Sequence, residues 1–97
     1  MQVGKVVGTV VSTQKDPALS GTKLLIVETT DLMGNPKGSH VVAVDSVGAG
    51  VGELVLYASG SSARQTESTQ NKPVDAVIMS IIDTITVKGE TVFNKES

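Results

Sequence analysis

The sequence predicts a small, closed or nearly closed β-barrel of five or six strands with one short helix, forming a single domain over residues 1–97. Apolar, β-branched segments recur along the chain, and clusters of Gly, Pro, Asn, Asp and Ser separate them. The segments at 22–30, 40–47 and 53–59 show no convincing 3.6-residue periodicity. A chain of 97 residues has the size of one domain, which buries roughly 60 to 65% of the unfolded surface.

The first strand is predicted over residues 2–13, although its valines are spaced as in an amphipathic helix. Those valines are Val3, Val6, Val7, Val10 and Val11. A strand is favoured because valine loses rotamer freedom in a helix, and because Gly4 and Gly8 would each cost about 1 kcal/mol there. We therefore expect the two glycines to mark a bulge or a strong bend.

The remaining elements follow at short intervals. After a loop at 14–21, we expect three strands, a helix capped by Ser61 or Ser62, a long strand and a hairpin return through Gly89 to a short edge strand. In chain order these elements span residues 22–30, 40–47, 53–59, 61–68, 75–87 and 91–93, with a turn at 31–39. Such a succession is typical of an all-β barrel resembling the OB architecture.

Composition limits the core and the partners. Apolar residues make up 39% of the chain but aromatic residues only 2%, so burial is expected to come from Val, Ile, Leu and Ala. A small chain with so thin a core often completes its burial against copies of itself. The net charge of −2 comes from scattered groups, which disfavours binding to nucleic acid.

Two further absences bear on localisation. The chain has no cysteine, which excludes disulfides and thiolate metal sites and fits a reducing compartment. Its first residues lack the long apolar segment of a signal peptide, and no run approaches the length of a membrane span. A cytoplasmic protein that does not contact membranes is therefore expected.

The glycine-rich stretch between the predicted third and fourth strands suggests a phosphate-binding loop. Gly48, Gly50 and Gly52 give the pattern GxGxG, which differs from the dinucleotide fingerprint GxGxxG and lacks the GK[ST] of a Walker loop. The loop also leads into a strand, whereas a phosphate cradle needs a helix N-terminus behind it. A tight turn with positive φ angles is the better interpretation.

Other polar residues do not assemble into a catalytic site in the sequence. Ser61 and Ser62 would need an adjacent base, and the one histidine, His40, is more consistent with an exposed strand residue than with a metal ligand. Four carboxylates are expected to be solvated or ion-paired: Asp45, Glu53, Asp75 and Asp83. We expect no catalytic residue, no cofactor and no metal.

Arg64 has two interpretations. It follows the small residues 61–63, which would let another backbone come close, and its planar guanidinium suits bidentate pairing with a carboxylate across a subunit interface. An exposed arginine on a surface helix is equally compatible with the sequence.

Four short motifs follow one another along the chain. They are GAGxGExV at 48–55, GSSAR at 60–64, PxDA at 73–76 and IID at 81–83. They lie within or beside AVDSVGAGVGELVLYASGSSAR, which is preceded by GTKLLIV and followed by PVDAVIMSIID. In order and spacing these motifs resemble those of the bacterial microcompartment vertex proteins, the ethanolamine-utilisation and carboxysome pentamer family, and the similarity covers nearly the whole chain.

The resemblance implies a non-enzymatic structural protein that assembles as a cyclic homopentamer. Such pentamers occupy the corners of a polyhedral cytoplasmic shell whose facets are tiled by hexameric shell proteins. Two sets of residues are then expected at contacts. Neighbouring shell proteins would meet Gly48, Ala49, Gly50, Gly52 and Glu53, and adjacent subunits would meet at Ser61, Ser62, Ala63 and Arg64.

An OB-type binding module for single-stranded nucleic acid or a small ligand is the alternative. Nucleic-acid faces of OB folds need stacking aromatic residues and a basic groove. This chain offers Tyr57 and Phe93 and has no basic cluster, so the alternative ranks below a shell protein, and a metabolic enzyme ranks lower still.

Overall fold

Strands form all of the regular structure in a computed structural model of the chain, which describes residues 1–13, 23–60 and 75–97. The strands are β1 (Gln2–Val10), β2 (Lys23–Thr30), β3 (Pro36–Asp45), β4 (Leu54–Ser59), β5 (Ala76–Ile81), β6 (Thr84–Val87) and β7 (Glu90–Asn94). The predicted loop at 14–21 and the predicted helix at 61–68 lie outside the described residues. Across the described ranges, nothing helical has the length and hydrophobicity of a membrane span.

Five strands close into a barrel in the order β1-β2-β3-β5-β4, because β4 also pairs with β1. Neighbouring strands are antiparallel except β3 and β5, which run parallel and pair at Val44–Val77 and Asp45–Ile78. β6 and β7 form a separate two-stranded sheet. The prediction of a small all-β, OB-like barrel is confirmed.

The barrel interior contains an aromatic side chain as well as the expected aliphatic ones. Tyr57 is the largest fully buried residue, with 2% of its surface exposed, and its hydroxyl lies 2.8 Å from Thr29 Oγ1. The phenol therefore fills the core with its ring while its polar end keeps a hydrogen-bond partner. The expectation of a core built from Val, Ile, Leu and Ala alone was wrong at this position.

β1 contains the predicted bulge. Its pairing with β2 changes register between Val6 and Gly8, which is where the glycine spacing predicted a bend. The strand ends at Val10, the last residue paired with β2, and does not continue to Thr13 as predicted.

β3 begins earlier than predicted, so the turn before it is shorter. Pro36 occupies the first position of the strand, where its missing N–H costs no ladder hydrogen bond. The carboxylate of Asp31 holds the turn by accepting hydrogen bonds of 2.9 Å from the amides of Met33 and Asn35. The hydrogen bond from the Asn35 amide is the main reason that the pKa of Asp31 lies below its ordinary value.

The predicted long strand at 75–87 is divided into β5 and β6, which corrects the prediction. The amide of Ile82 donates to the Leu54 carbonyl at 2.9 Å, and Ile82 is 8% exposed. Asp83 then turns the chain away from the barrel, and its carbonyl accepts a 2.9 Å hydrogen bond from the amide of Lys95. The break could not be predicted from the sequence, because no glycine or proline lies at this position.

The predicted return to a short edge strand is confirmed as β7. The two-residue turn consists of Lys88 (φ 52°) and Gly89 (φ 82°), as in a type I′ hairpin. Phe93 and Leu54 both lie near Gly34, since a Cβ built at Gly34 would be 3.8 Å from Phe93 Cδ1 and 3.9 Å from Leu54 Cδ1. The base of the hairpin therefore lies beside the barrel, and Phe93 and Leu54 line one depression there.

Candidate functional site

The glycine loop, residues 46–53, joins β3 to β4, and Asp45 anchors its start. Asp45 Oδ1 accepts hydrogen bonds from the amides of Val47 (3.1 Å) and Ala49 (3.2 Å). Its other oxygen lies 3.4 Å from Lys23 Nζ, which also donates to the Ala49 carbonyl at 3.2 Å. The Asp45 side chain is 1% exposed, so a buried carboxylate fixes the first half of the loop.

The end of the loop is fixed to the β1 bulge. The amide of Gly52 donates to the Val6 carbonyl at 2.8 Å, and the amide of Val6 donates to the Glu53 carbonyl at 2.9 Å. These two bonds continue the β1–β4 pairing beyond β4 itself. The bulge in β1 and the path of the loop are therefore parts of one arrangement.

Glu53 links the loop to the C-terminal hairpin. Its Oε1 accepts a short hydrogen bond of 2.6 Å from the amide of Gly50, and its Oε2 lies 3.8 Å from Lys95 Nζ. Lys95 also lies 3.3 Å from Asp83 Oδ1. One lysine thus connects the carboxylates at the end of the loop and at the start of the hairpin.

The backbone of the loop confirms the predicted positive-φ turn at two of the three glycines. Gly48 has φ of 79° and Gly52 of 97°, angles that residues with a Cβ rarely adopt. The backbone of Gly50 stays outside this region, and a Cβ built there would lie 3.4 Å from Glu53 Oε1. Position 50 is therefore the glycine of the loop at which a side chain is most easily accommodated.

The loop presents two apolar side chains next to its glycines. Val51 is 63% exposed and Val47 is 38% exposed, whereas Ala49 is 1% exposed and packs in the barrel core. Among the residues predicted to meet neighbouring shell proteins, Gly48 and Gly52 are exposed and Gly50 and Glu53 are half-buried. Ala49 differs from them because the whole residue is buried, with its amide bonded to Asp45 and its carbonyl to Lys23.

The hydrogen bonds within the loop are incompatible with a phosphate cradle. The amides of residues 47, 49, 50 and 52 already donate to Asp45, Glu53 or Val6, so they do not converge on an external anion. Two carboxylates, those of Asp45 and Glu53, are the groups at the centre of these bonds, and they would repel a phosphate. The loop is built to hold a shape.

The described polar residues form no arrangement typical of a catalytic or metal site. His40 is exposed on β3, as expected, with its Nε2 3.5 Å from Glu28 Oε2. Within residues 1–13, 23–60 and 75–97, no three His, Asp or Glu side chains gather closely enough to hold a metal ion. Tyr57 is too deeply buried to stack on a nucleic-acid base, which removes one of the two aromatic residues on which the OB-module alternative depends.

Sequence reasoning missed Asp45, Lys23 and Val6 as the residues that shape the loop. An aspartate directly before a glycine-rich turn often accepts hydrogen bonds from the amides two residues on and beyond, so DSVGAG carried a usable signal for Asp45. The contributions of Lys23 and Val6 come from distant strands and leave no local pattern. The predicted subunit-interface residues 61–64 lie outside the described part of the chain.

Comparison with known proteins places the chain among shell components. The family model described as "Ethanolamine utilisation protein EutN/carboxysome" matches residues 1–83. The carboxysome shell vertex protein CcmL of Gloeobacter violaceus is 46% identical over 96 residues, which cover 99% of this chain and 96% of that protein. Its solved structure covers 100% of both chains, with a TM-score of 0.93 and 45% identity.

Relatives from other microcompartments match similarly. The shell vertex protein EutN of Salmonella typhimurium is 45% identical over 95 residues, covering 98% of this chain and 96% of that protein. The solved structure of GrpN from Rhodospirillum rubrum, described as a pentameric microcompartment shell protein, has a TM-score of 0.81 and 50% identity, and covers 90% of this chain and 99% of that one. With this extent of agreement in sequence and fold, the chain belongs to the EutN/CcmL family, whose members are structural shell vertex proteins and not enzymes.

Proposed function

We propose that this protein is a structural shell protein that forms homopentamers and caps the vertices of a polyhedral bacterial microcompartment. The observation that carries the proposal is the match to a carboxysome shell vertex protein along the entire chain, at a TM-score of 0.93. The pentameric description of GrpN, at 50% identity, supports the number of subunits.

The geometry of the glycine loop supports a scaffold. The amides of residues 47, 49, 50, 52 and 53 are bonded within the chain, and the exposed groups of the loop include glycine backbone and two valines, Val47 and Val51. Such a surface can pack closely against another protein but offers little to a polar small molecule. A rigid, apolar loop on a closed barrel fits a protein whose function is to make contacts.

A general property of closed shells supports a proposal for the class of neighbour. A flat sheet of hexagonal units cannot close on itself, and the insertion of fivefold units supplies the curvature that closure needs. We therefore propose hexameric shell proteins as the partners. In this proposal the glycine loop lies at or near the contact, and the neighbour approaches the backbone of residues 48–53.

Gly50→Val tests the contact made by the loop. Because position 50 has no positive φ and the nearest atom is a glutamate oxygen at 3.4 Å, we expect the variant to fold and to form pentamers. Its added side chain should nevertheless hinder a neighbour that packs on the backbone. Electron microscopy after co-expression with a hexameric shell protein should show open or elongated shells, and closed shells of normal shape would argue against this contact.

Arg64→Ala tests the subunit contact proposed for Ser61, Ser62, Ala63 and Arg64. If the guanidinium pairs with a carboxylate of the next subunit, the variant should dissociate at protein concentrations at least about tenfold higher than the wild type does. A tenfold change corresponds to a loss of about 1.4 kcal/mol in the free energy of association. Light scattering across a dilution series measures this directly. An unchanged pentamer would assign Arg64 to the solvent-exposed surface.

Native mass spectrometry of the purified protein is the experiment that tests the function as a whole. The proposal expects a discrete species containing five chains of 10.0 kDa each. A monomer under gentle conditions would contradict it. Salt-dependent binding to a single-stranded oligonucleotide would also count against a scaffold, since the OB-module alternative predicts such binding.

A further inference from the structure

The β6–β7 hairpin contacts the rest of the protein at its base. Among the described strands, β6 and β7 pair only with each other, and the barrel closes without them. At the base, the amide of Ile82 donates to the Leu54 carbonyl at 2.9 Å, and Leu54 and Phe93 line one depression of about 340 Å³. Leu54 directly follows Glu53, so the base of the hairpin lies against the end of the glycine loop.

Lys95 is the charged contact between the hairpin and the loop. Its amide donates to the Asp83 carbonyl at 2.9 Å, which fixes its backbone at the start of the hairpin. Its ammonium lies 3.3 Å from Asp83 Oδ1 and 3.8 Å from Glu53 Oε2. The two carboxylates therefore share one cation, and without it they would repel each other.

Glu53 transmits this contact to the backbone of the loop. Its Oε2 is the atom near Lys95, while its Oε1 accepts the 2.6 Å hydrogen bond from the amide of Gly50. Because a carboxylate is planar, a cation that fixes one oxygen also fixes the direction of the other. The same turn is closed by a longer bond of 3.2 Å, from the amide of Glu53 to the Gly50 carbonyl. The second half of the loop, residues 50–53, therefore depends on the orientation of the Glu53 side chain.

The first half of the loop is held by different residues. The amides of Val47 and Ala49 donate to Asp45 of β3, which pairs with a lysine of β2. The second half is held by Glu53 and, through it, by Lys95. Each half thus has its own carboxylate and its own lysine, and the hairpin supplies the lysine of the second half.

We propose that Lys95 is a positioning residue for the glycine loop, through which the β6–β7 hairpin controls the shape of the loop at residues 50–53. The value of that shape for shell assembly rests on the proposed function, whereas the coupling is a property of the single chain. The family model matches residues 1–83, so Glu53 lies within the matched part and Lys95 lies beyond it. A surface within the family region is thus adjusted by a residue outside it.

Hydrogen exchange at the Gly50 amide tests the coupling in the isolated protein. Lys95→Met should raise the exchange rate of this amide about twofold to fivefold, the range expected for a partly exposed ion pair. The amide of Ala49 should stay protected, because its acceptor is Asp45. Lys88→Met is the matched control, since it removes an exposed lysine from the turn at the other end of the same hairpin. Equal Gly50 exchange in the two variants would overturn the proposal.

Two further variants separate this coupling from a general loosening of the hairpin. Glu53→Gln keeps an acceptor for the Gly50 amide but removes the charge near Lys95, so adding Lys95→Met to it should raise exchange no further. Asp83→Asn removes the other partner of Lys95 and should leave the Gly50 amide as protected as in the wild type. Additive effects of the first two substitutions, or faster Gly50 exchange in Asp83→Asn, would show that Lys95 stabilises the hairpin in general and would overturn the proposal.

Salt provides a readout that a packing contact would not change. Raising the ionic strength from about 0.1 M to about 1 M shortens the screening length from about 10 Å to about 3 Å. In the wild type, this should speed exchange at Gly50 relative to the Gly52 amide, whose acceptor is the uncharged carbonyl of Val6. Lys95→Met should lose most of this salt dependence. The same salt dependence in both proteins would contradict an electrostatic role for Lys95.

Assembly with a hexameric shell protein tests the part that rests on the proposed function. Coupling is reciprocal, so fixing the loop at a shell contact should slow exchange of the residue 95 amide in the wild type, and Lys95→Met should abolish the slowing. If Gly50 exchange responds to Lys95 in the isolated protein but assembly leaves residue 95 unchanged, the coupling stands and the glycine loop is rejected as the shell contact. If Gly50 exchange does not respond, the coupling itself is rejected, so the two failures are distinguishable.

Discussion

Gly4→Ala is expected to destabilise the barrel by about 3 kcal/mol or more. A Cβ built at Gly4 would overlap Val27 Cγ1 and would lie 2.9 Å from both the Glu28 carbonyl oxygen and Tyr57 Cε1. Val27 and Tyr57 are fully buried core residues, and a carbonyl in the β1–β2 ladder cannot move without breaking the sheet. The backbone of β1 passes so close to the tyrosine ring that glycine is required.

Gly8→Ala is the matched control for this experiment. It adds the same methyl group to the same strand, four residues away, where the nearest atom is Ile26 Cδ1 at 3.4 Å, the end of a flexible side chain. We expect its cost to stay below about 1 kcal/mol. Urea denaturation followed by circular dichroism measures both variants, and equal midpoints for Gly4→Ala and wild type would show that the β1–Tyr57 contact is looser than described.

The contrast between these two glycines shows what the sequence could and could not predict. Their presence among valines indicated a bulged or bent strand, and the register shift between Val6 and Gly8 confirms it. The tight approach at Gly4 could not be predicted, because it depends on where Tyr57 of β4 lies after the barrel closes. Local rules identify an unusual backbone, but a long-range contact decides which glycine is indispensable.

A similar limit applies at the C-terminal end of the barrel. Residues 75–87 form one apolar, β-branched run without a clear alternation of apolar and polar residues, so a single strand was the simplest prediction. The break at Ile82 and Asp83 is determined by a hydrogen bond to Leu54 and another from Lys95, and both partners are distant in sequence. The number of barrel strands was predictable, but the separation of the β6–β7 hairpin was not.

The glycine stretch was predicted correctly as a turn between two strands, because its glycines favour positive φ angles and a strand follows it. Its internal structure was less accessible. Ala49 was grouped with its neighbours as a contact residue, yet it is 1% exposed in the core. Gly48, directly before it, and Val51, two residues after it, are exposed. In an irregular loop, a pattern of small residues alone therefore does not show which residues point inward and which point outward.

The second large effect is expected at Asp45, which determines the shape of the loop. Asp45→Ala removes the acceptor of two amide hydrogen bonds and the ion-pair partner of Lys23. The Asp45 side chain is only 1% exposed, so water cannot easily replace it. Hydrogen bonds to a charged group contribute about 1.5 to 3 kcal/mol, and amides left without an acceptor add a desolvation penalty. We expect a loss of about 3 kcal/mol in the free energy of unfolding, a large fraction of the stability of a small domain.

Two further variants separate the contributions at Asp45. Lys23→Met removes the ion pair and the hydrogen bond to the Ala49 carbonyl but leaves both amide bonds to Asp45 in place. It should cost less than about 1 kcal/mol, because the lysine is 56% exposed and its interactions are screened by solvent. Asp45→Asn keeps an acceptor for the amides of Val47 and Ala49 and should lie between the other two variants. If Lys23→Met instead destabilises the protein as much as Asp45→Ala, the two contacts of Lys23, and not the amide bonds to Asp45, hold the loop. Hydrogen exchange at the two amides distinguishes the cases, since Asp45→Ala should expose both while Lys23→Met leaves both protected.

Because the exposed valines of the loop depend on this backbone for their position, the same series of variants should rank shell closure in the same order as amide protection.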